Sequence, residues 1–236
     1  MQKQRIWELD AIRGFCILCV IAIHIIFDLQ YFWDLELSLP AIYQFIQANG
    51  AVIFILISGT CATLGSRSFR RGAIVFSCGL LITVVTLGMY FLGMAGRDII
   101  IHFGILHLLG LSMMLYPLLK KLPTPLLAIL GILFTVLGYV LLAHRFQVEY
   151  LFVFGIRSPH YAAGDYFPIF PYLGWFCIGI VLGRTAYRNK RTLLPAVPEN
   201  AALLRFFRFC GRHSLIIYLA HQPIVYVLLM LLSKII

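Results

Sequence analysis

Residues 10–28, DAIRGFCILCVIAIHIIFD, are apolar enough to enter a bilayer and yet carry Asp10, Arg13, His24 and Asp28. On a helix turning about 100° per residue, with Asp10 at zero, Arg13 falls at about 300°, His24 at about 320° and Asp28 back at about 0°. The four ionisable side chains therefore share a stripe roughly 60° wide. Such groups are costly against lipid and face a bundle interior or a water-filled cavity. The stripe therefore requires other helices on that face. His24 and Asp28 are also four residues apart and can touch.

The rest of the chain supplies those helices. Of its 236 residues 61% are hydrophobic, which excludes an ordinary soluble domain. Seven apolar runs, near 11–27, 42–64, 73–93, 99–119, 126–143, 168–186 and 213–233, are long enough to span or nearly so. The predicted fold is all-α: a polytopic membrane protein, a bundle of about seven transmembrane helices in one domain over residues 1–236. The first run is not read as a cleaved signal peptide, because Arg13 and His24 interrupt it and no small-residue cleavage site follows.

The net charge of +10 is a matter of topology rather than of nucleic acid. Lys3 and Arg5, then Arg67, Arg70 and Arg71, then Lys120 and Lys121, then Arg184, Arg188, Lys190, Arg191, Arg205, Arg208 and Arg212 fall in alternate connections. The opposite connections and the tail hold only Arg97, Arg145, Arg157 and Lys234. By the positive-inside rule the N-terminus is cytoplasmic, and an odd number of spans puts the C-terminus outside. The six cysteines lie in or beside the apolar runs and read as small packing residues, Cys16-x-x-Cys19 included.

Polar content elsewhere is sparse. Ser214, Tyr218 and His221 in the last run fall at about 0°, 40° and 340°, a second stripe able to face the first. The fourth run opens with His102 and His107, about 140° apart if both are helical. The loop from Gln30 to Pro40 is aromatic and acidic, with Tyr31, Phe32, Trp33, Asp34 and Glu36 suited to an interface belt or to an acceptor-binding lip. The long connection 144–167 carries Glu149, Arg157, His160 and Asp165. Ser58-Gly59-Thr60 and the G-x-x-x-G of Gly179 and Gly183 allow close helix packing, the latter within one chain or between two as a homodimer. Residues 200–210 suit a short amphipathic helix on the inner leaflet. No metal site is expected, since His24, His107 and His221 have no ligand spacing.

These residues fit acyl transfer from a thioester. Histidine is the natural general base near neutral pH, and Asp28 can fix the tautomer of His24. Arg13 lies 11 residues earlier, about 16 Å along the axis at 1.5 Å per residue, a pantetheine-like reach. Arg13 can hold a CoA phosphate, Asp10 can orient Arg13, and Ser214, Tyr218 and His221 can complete an acyl-CoA-binding wall. His107 and Asp165 are candidates on the acceptor side. Each has a plainer reading: Arg13–Asp10 as an interfacial anchor, His24–Asp28 as a polar clamp, His107 and His221 as packing histidines, Asp165 as a helix cap.

The R-x10-H from Arg13 to His24, beginning L-D-A-I-R-G, resembles the first-helix signature of membrane acyltransferases, the acyltransferase type 3 family among them. A closer resemblance is to the bacterial group related to the catalytic domain of heparan-α-glucosaminide N-acetyltransferase. It is carried by residues 8–29 (ELDAIRGFCILCVIAIHIIFDL), 103–115 (FGILHLLGLSMML), 165–183 (DYFPIFPYLGWFCIGIVLG) and 211–223 (GRHSLIIYLAHQP). The resemblance implies an enzyme of the bacterial cytoplasmic membrane that uses acetyl-CoA as donor substrate. It implies a sugar or lipid-linked acceptor, amine or hydroxyl, at the outer face, with Arg13 and His24 as the catalytic or donor-binding residues. The lysosomal relative has a functional histidine in its first lumenal loop, whereas residues 30–41 here contain none, which concentrates the chemistry on His24. The competing class is a carrier or flippase for a small anionic or lipid-linked solute, with the stripe as its path and His24 as a proton relay; the absence of repeats argues against it.

Overall fold

A computed structural model describes residues 6–33, 35, 38–197 and 201–232. Lys3, Arg5, Asp34, Glu36, Pro198 and Lys234, on which parts of the charge and interface readings rest, lie outside the described residues, as do the side chains of Phe32 and Trp33. The helices are α1 (Trp7–Trp33), α2 (Ala41–Leu64), α3 (Ser68–Phe91), α4 (Ile105–Leu119), α5 (Thr124–Ala143), α6 (Ile169–Thr185), α7 (Ala202–Arg212) and α8 (Ser214–Leu232). Among the described residues there is no strand, only an isolated parallel bridge between Phe103 and Tyr166. The all-α expectation is met.

Five helices, α1, α2, α3, α5 and α8, are long and apolar enough to cross a membrane. The other two apolar helices are shorter, α4 at 15 residues and α6 at 17, against the roughly 20 that a bilayer core asks of an untilted helix. The sequence placed the start of the fourth run at 99; the helix begins at 105. Residues 100–104 are not helical, and several of their backbone groups are satisfied from the side. The Thr83 hydroxyl donates to the Ile101 carbonyl at 2.6 Å, and the Ile101 N–H donates to the Thr86 hydroxyl at 3.2 Å. Phe167 N–H donates to the Phe103 carbonyl at 3.0 Å. Hydropathy alone does not separate this segment from helix, because a buried backbone needs partners rather than a particular shape. His102 is therefore off the helix, and its angular relation to His107 lapses.

Contacts divide the chain into two compact units, Met1–Phe54 with Lys190–Ile236, and Ile55–Asn189, the division falling within α2. In the second unit α3 packs on α4 and α5 on α6. The C-terminal half of α2 packs on α6 so closely that a Cβ at Gly59 would collide with the Phe176 carbonyl, and one at Gly179 with the Leu56 carbonyl. The Thr60 hydroxyl donates to the Gly179 carbonyl across that contact at 3.0 Å. The small-residue face of Gly179 and Gly183 is thus used within the chain. Arg184, counted in the sequence as an inside-positive charge, also donates to the Leu122 and Lys120 carbonyls at 2.7 and 2.8 Å, closing the turn between α4 and α5.

In the first unit α1 is flanked by α7 and α8. The amphipathic helix expected at 200–210 forms at 202–212 and lies along α1. Gly14 and Gly211 make the approach possible: a Cβ on Gly14 would strike the Phe207 carbonyl, and one on Gly211 the Asp10 carbonyl. Leu203, Phe206 and Phe209 remain exposed.

Candidate functional site

The ionisable stripe of α1 is met by partners at both ends within the first unit. At its start, Glu8 is buried and holds the segment before α7. Its carboxylate accepts from the Thr192 hydroxyl at 2.9 Å and from the Leu193 N–H at 2.8 Å. One turn on, Asp10 lies between two guanidinium groups, Arg13 Nη1 at 4.0 Å and Arg212 Nε at 3.6 Å. Arg212 is the better exposed of the two cations, its side chain 41% accessible against 22% for Arg13. Two cations thus flank the one buried carboxylate of Asp10.

Toward the other end, α8 supplies the facing wall that its own polar stripe predicted. The His24 and His221 rings lie 4.8 Å apart between centroids, tilted by 57°. The Tyr218 ring is 5.4 Å from that of His221. His221 Nδ1 is 2.5 Å from the Tyr218 carbonyl. A carbonyl only accepts, so Nδ1 carries the hydrogen, and Nε2 of the neutral ring is a lone-pair nitrogen. That Nε2 is buried and has no hydrogen-bond partner among the described residues.

Asp28 is fully buried. Both of its oxygens accept from Gln222 Nε2, at 2.7 and 2.9 Å. The expected His24–Asp28 hydrogen bond is replaced here: Asp28 is held by Gln222 and the His24 ring by His221. Sequence reasoning missed Gln222 because it falls about 80° around α8 from Ser214, outside the Ser214–Tyr218–His221 stripe. Its Oε1 is buried without a hydrogen-bond partner among the described residues. Ser214 opens α8, one turn before Tyr218.

His107 and Asp165 belong to the second unit, and their polar atoms serve the start of α4. The Gly104 N–H donates to His107 Nδ1 at 3.2 Å, which leaves the hydrogen on Nε2, 3.3 Å from the Thr83 hydroxyl. That hydroxyl donates onward to Ile101. Asp165 accepts the Ile105 N–H at 2.9 Å. It thus caps α4, where the sequence had suggested a cap for the following helix. Burial pushes its carboxyl up to about 6, and the hydrogen bond from Ile105 opposes that rise.

All six cysteines are free. Among the described residues no group of three or more His, Cys, Asp or Glu side chains gathers as a metal site would require. The family model described as heparan-alpha-glucosaminide N-acetyltransferase, catalytic, matches residues 5–223. No curated protein and no solved structure matches the chain.

Proposed function

The chain belongs to the heparan-alpha-glucosaminide N-acetyltransferase catalytic family, and from that membership we propose a membrane-embedded transferase that moves an acetyl group from cytoplasmic acetyl-CoA to an acceptor at the outer face. The whole of residues 1–236 acts as one domain. All seven apolar helices cross the bacterial cytoplasmic membrane, with the N-terminus inside; the alternation of basic residues along the chain supports this topology. The shorter α4 and α6 are each preceded by non-helical chain that extends their reach.

Arg13 and Arg212, gathered around Asp10, receive the phosphates of acetyl-CoA through charge-assisted hydrogen bonds. The pantetheine runs along α1 over about 16 Å, past Ser214 and Tyr218 on α8, and presents the thioester at His24. The acceptor amine or hydroxyl attacks the thioester carbonyl. His24 takes the proton that the nucleophile loses, the C–S bond breaks, and the CoA thiolate leaves and recovers a proton from the imidazolium. His221, with its unpartnered Nε2 against the His24 ring, serves as second proton acceptor of the pair. Asp28, locked by Gln222, contributes negative charge one turn beyond His24 and stabilises the imidazolium. His107 and Asp165 act for the acceptor side by fixing the start of α4.

The observation that carries the reading is the pairing of His24 with His221 on a helix whose other end gathers two arginines around Asp10. The test is incubation of the purified protein with radiolabelled acetyl-CoA and a panel of amino sugars and lipid-linked sugars. Acceptor-dependent label transfer in wild type, lost in His24→Ala, is expected. Absence of acetyl-CoA binding and of thioester cleavage in wild type overturns the reading, as does uptake of solute into liposomes without any CoA ester.

A further inference from the structure

The connection between α5 and α6 gathers polar atoms for which acetyl transfer has no use. The Arg157 guanidinium carbon lies 5.3 Å from the centroid of the Tyr166 ring. Its Nη2 donates to the Leu142 carbonyl at 3.0 Å. Tyr161 packs into the same cluster, 5.0 Å from Tyr166 and 5.1 Å from Phe152 between ring centroids. The His102 ring lies 5.9 Å from both Phe152 and Tyr161. In the midst of these aromatic rings, Arg157 Nε, the Tyr161 hydroxyl and His102 Nδ1 are all buried, and none has a hydrogen-bond partner among the described residues.

One orphan of this kind is common; three in one cluster, one of them on a guanidinium, are not. Tyr166 is satisfied, its hydroxyl donating to the Phe152 carbonyl. Asp165 is spent on Ile105. Among the described residues no carboxylate pairs with Arg157. A part-buried guanidinium with only a carbonyl and a ring face for partners bears an uncompensated desolvation cost, which burial registers by pulling its pKa down. Charge and hydrogen-bonding capacity both call for an anionic acceptor of several hydrogen bonds.

We propose that Arg157, Tyr161 and His102 form a binding site for a phosphate ester. Nη2 gives one of its two hydrogens to Leu142, while the Nε hydrogen has no partner among the described residues. Arg157 Nε and the Tyr161 hydroxyl each offer a hydrogen, and His102 offers a third from the tautomer that protonates Nδ1; three side chains converging this way suit the several oxygens of a tetrahedral group. The surrounding faces of Tyr161, Phe152 and Tyr166 provide an apolar seat for the group that carries the ester. The phosphate comes from a soluble monoester or from a lipid headgroup. The site stands independently of acetyl transfer, and its test reads binding rather than turnover.

The full chain is purified in an uncharged detergent and its thermal unfolding followed with glycerol 3-phosphate against glycerol, and with micelles doped with phosphatidic acid against diacylglycerol. Glycerol 3-phosphate or phosphatidic acid raises the midpoint by about 3 °C at saturation. Arg157→Gln and Tyr161→Phe each shift the concentration needed at least about tenfold upward. A response to phosphatidic acid alone assigns the lipid source, and a response to glycerol 3-phosphate the soluble one. Tyr161→Phe keeps the ring and carries the test if Arg157→Gln fails to fold. Absence of any shift with both phosphate probes, or shifts that survive unchanged in both variants, overturns the proposal.

Discussion

Gln222 on α8 donates to both carboxylate oxygens of Asp28 on α1, at 2.7 and 2.9 Å, in a place where Asp28 has no exposed surface. It stands one turn beyond the His24–His221 ring pair. Gln222→Leu leaves a buried carboxylate unpaired and is expected to destabilise the protein by about 3 kcal/mol. Asp28→Asn keeps a partner, because the Gln222 amide can reverse and accept, and should cost less. The double change Asp28→Leu with Gln222→Leu should recover much of the loss. Unfolding midpoints of wild type, Gln222→Leu, Asp28→Leu and the double variant in one detergent form the cycle that checks this, with Asp28→Asn measured beside them.

The proposed role of His24 as general base is open to direct test. His24→Ala is expected to lower kcat for acetyl transfer by about 10²–10⁴-fold. His221→Phe retains a ring against His24 but removes Nε2, and should lower kcat by about 10–100-fold with KM for acetyl-CoA nearly constant. Steady-state kinetics with one acceptor decide; an unchanged kcat in His221→Phe removes His221 from the proton path.

The cationic end of α1 should act on binding alone. Arg13→Gln and Arg212→Gln are each expected to raise KM for acetyl-CoA by about tenfold while kcat holds. Shortened acetyl thioesters that lack the nucleotide should be insensitive to both changes. Equal losses with the full and the shortened donors would mean that these arginines hold the helices rather than the phosphates.

Asp165 gives a pH signature. In the folded chain its carboxyl sits at about 6, above its ordinary value. Below the ordinary value the group is neutral in folded and unfolded chain alike, and the folded state has its full stability. As pH rises through about 6 the proton is lost, and the folded state bears a buried charge that the unfolded state does not. Stability should therefore fall from about pH 4, where the unfolded chain ionises, to about 6 and level off above it, and Asp165→Asn, whose amide oxygen still accepts from Ile105, should flatten that slope. Thermal midpoints of the two proteins across the range check it.

The contact of α1 with α7 tolerates no side chain. Gly14→Ala places a methyl against the Phe207 carbonyl and is expected to cost about 2–3 kcal/mol. Gly88→Ala in α3 meets nothing within 4 Å and should be neutral or slightly stabilising. The pair of midpoints separates helix crowding from a general intolerance of glycine replacement.

Much of the fold was legible because apolar runs and helices coincide when a long run has no other way to satisfy its backbone. The runs near 42–64, 126–143 and 213–233 match α2, α5 and α8 within about two residues at each end. The reading failed where side chains took over that duty. Thr83 and Thr86 serve the backbone of Ile101, and no local pattern around 99–104 announces partners 15 and 18 residues away. At the site, angular position on a single helix identified His24 and His221, since both face inward. It missed Gln222, which reaches Asp28 from the flank of its helix, and Arg212, hidden among the many basic residues of a topological charge cluster.

The unit that holds the histidine pair is assembled from the two ends of the chain, with residues 55–189 between them. Glu8 waits for Thr192, Asp10 for Arg212, and Asp28 for Gln222. In chain order α1 precedes these partners by 184 residues for Glu8 and Thr192 and by 194 for Asp28 and Gln222. Until those later residues are made, the ionisable stripe lacks the partners that offset its cost in an apolar setting. A chain cut before residue 222 leaves Asp28 without the amide that holds it, and is expected to unfold at a lower temperature than the whole.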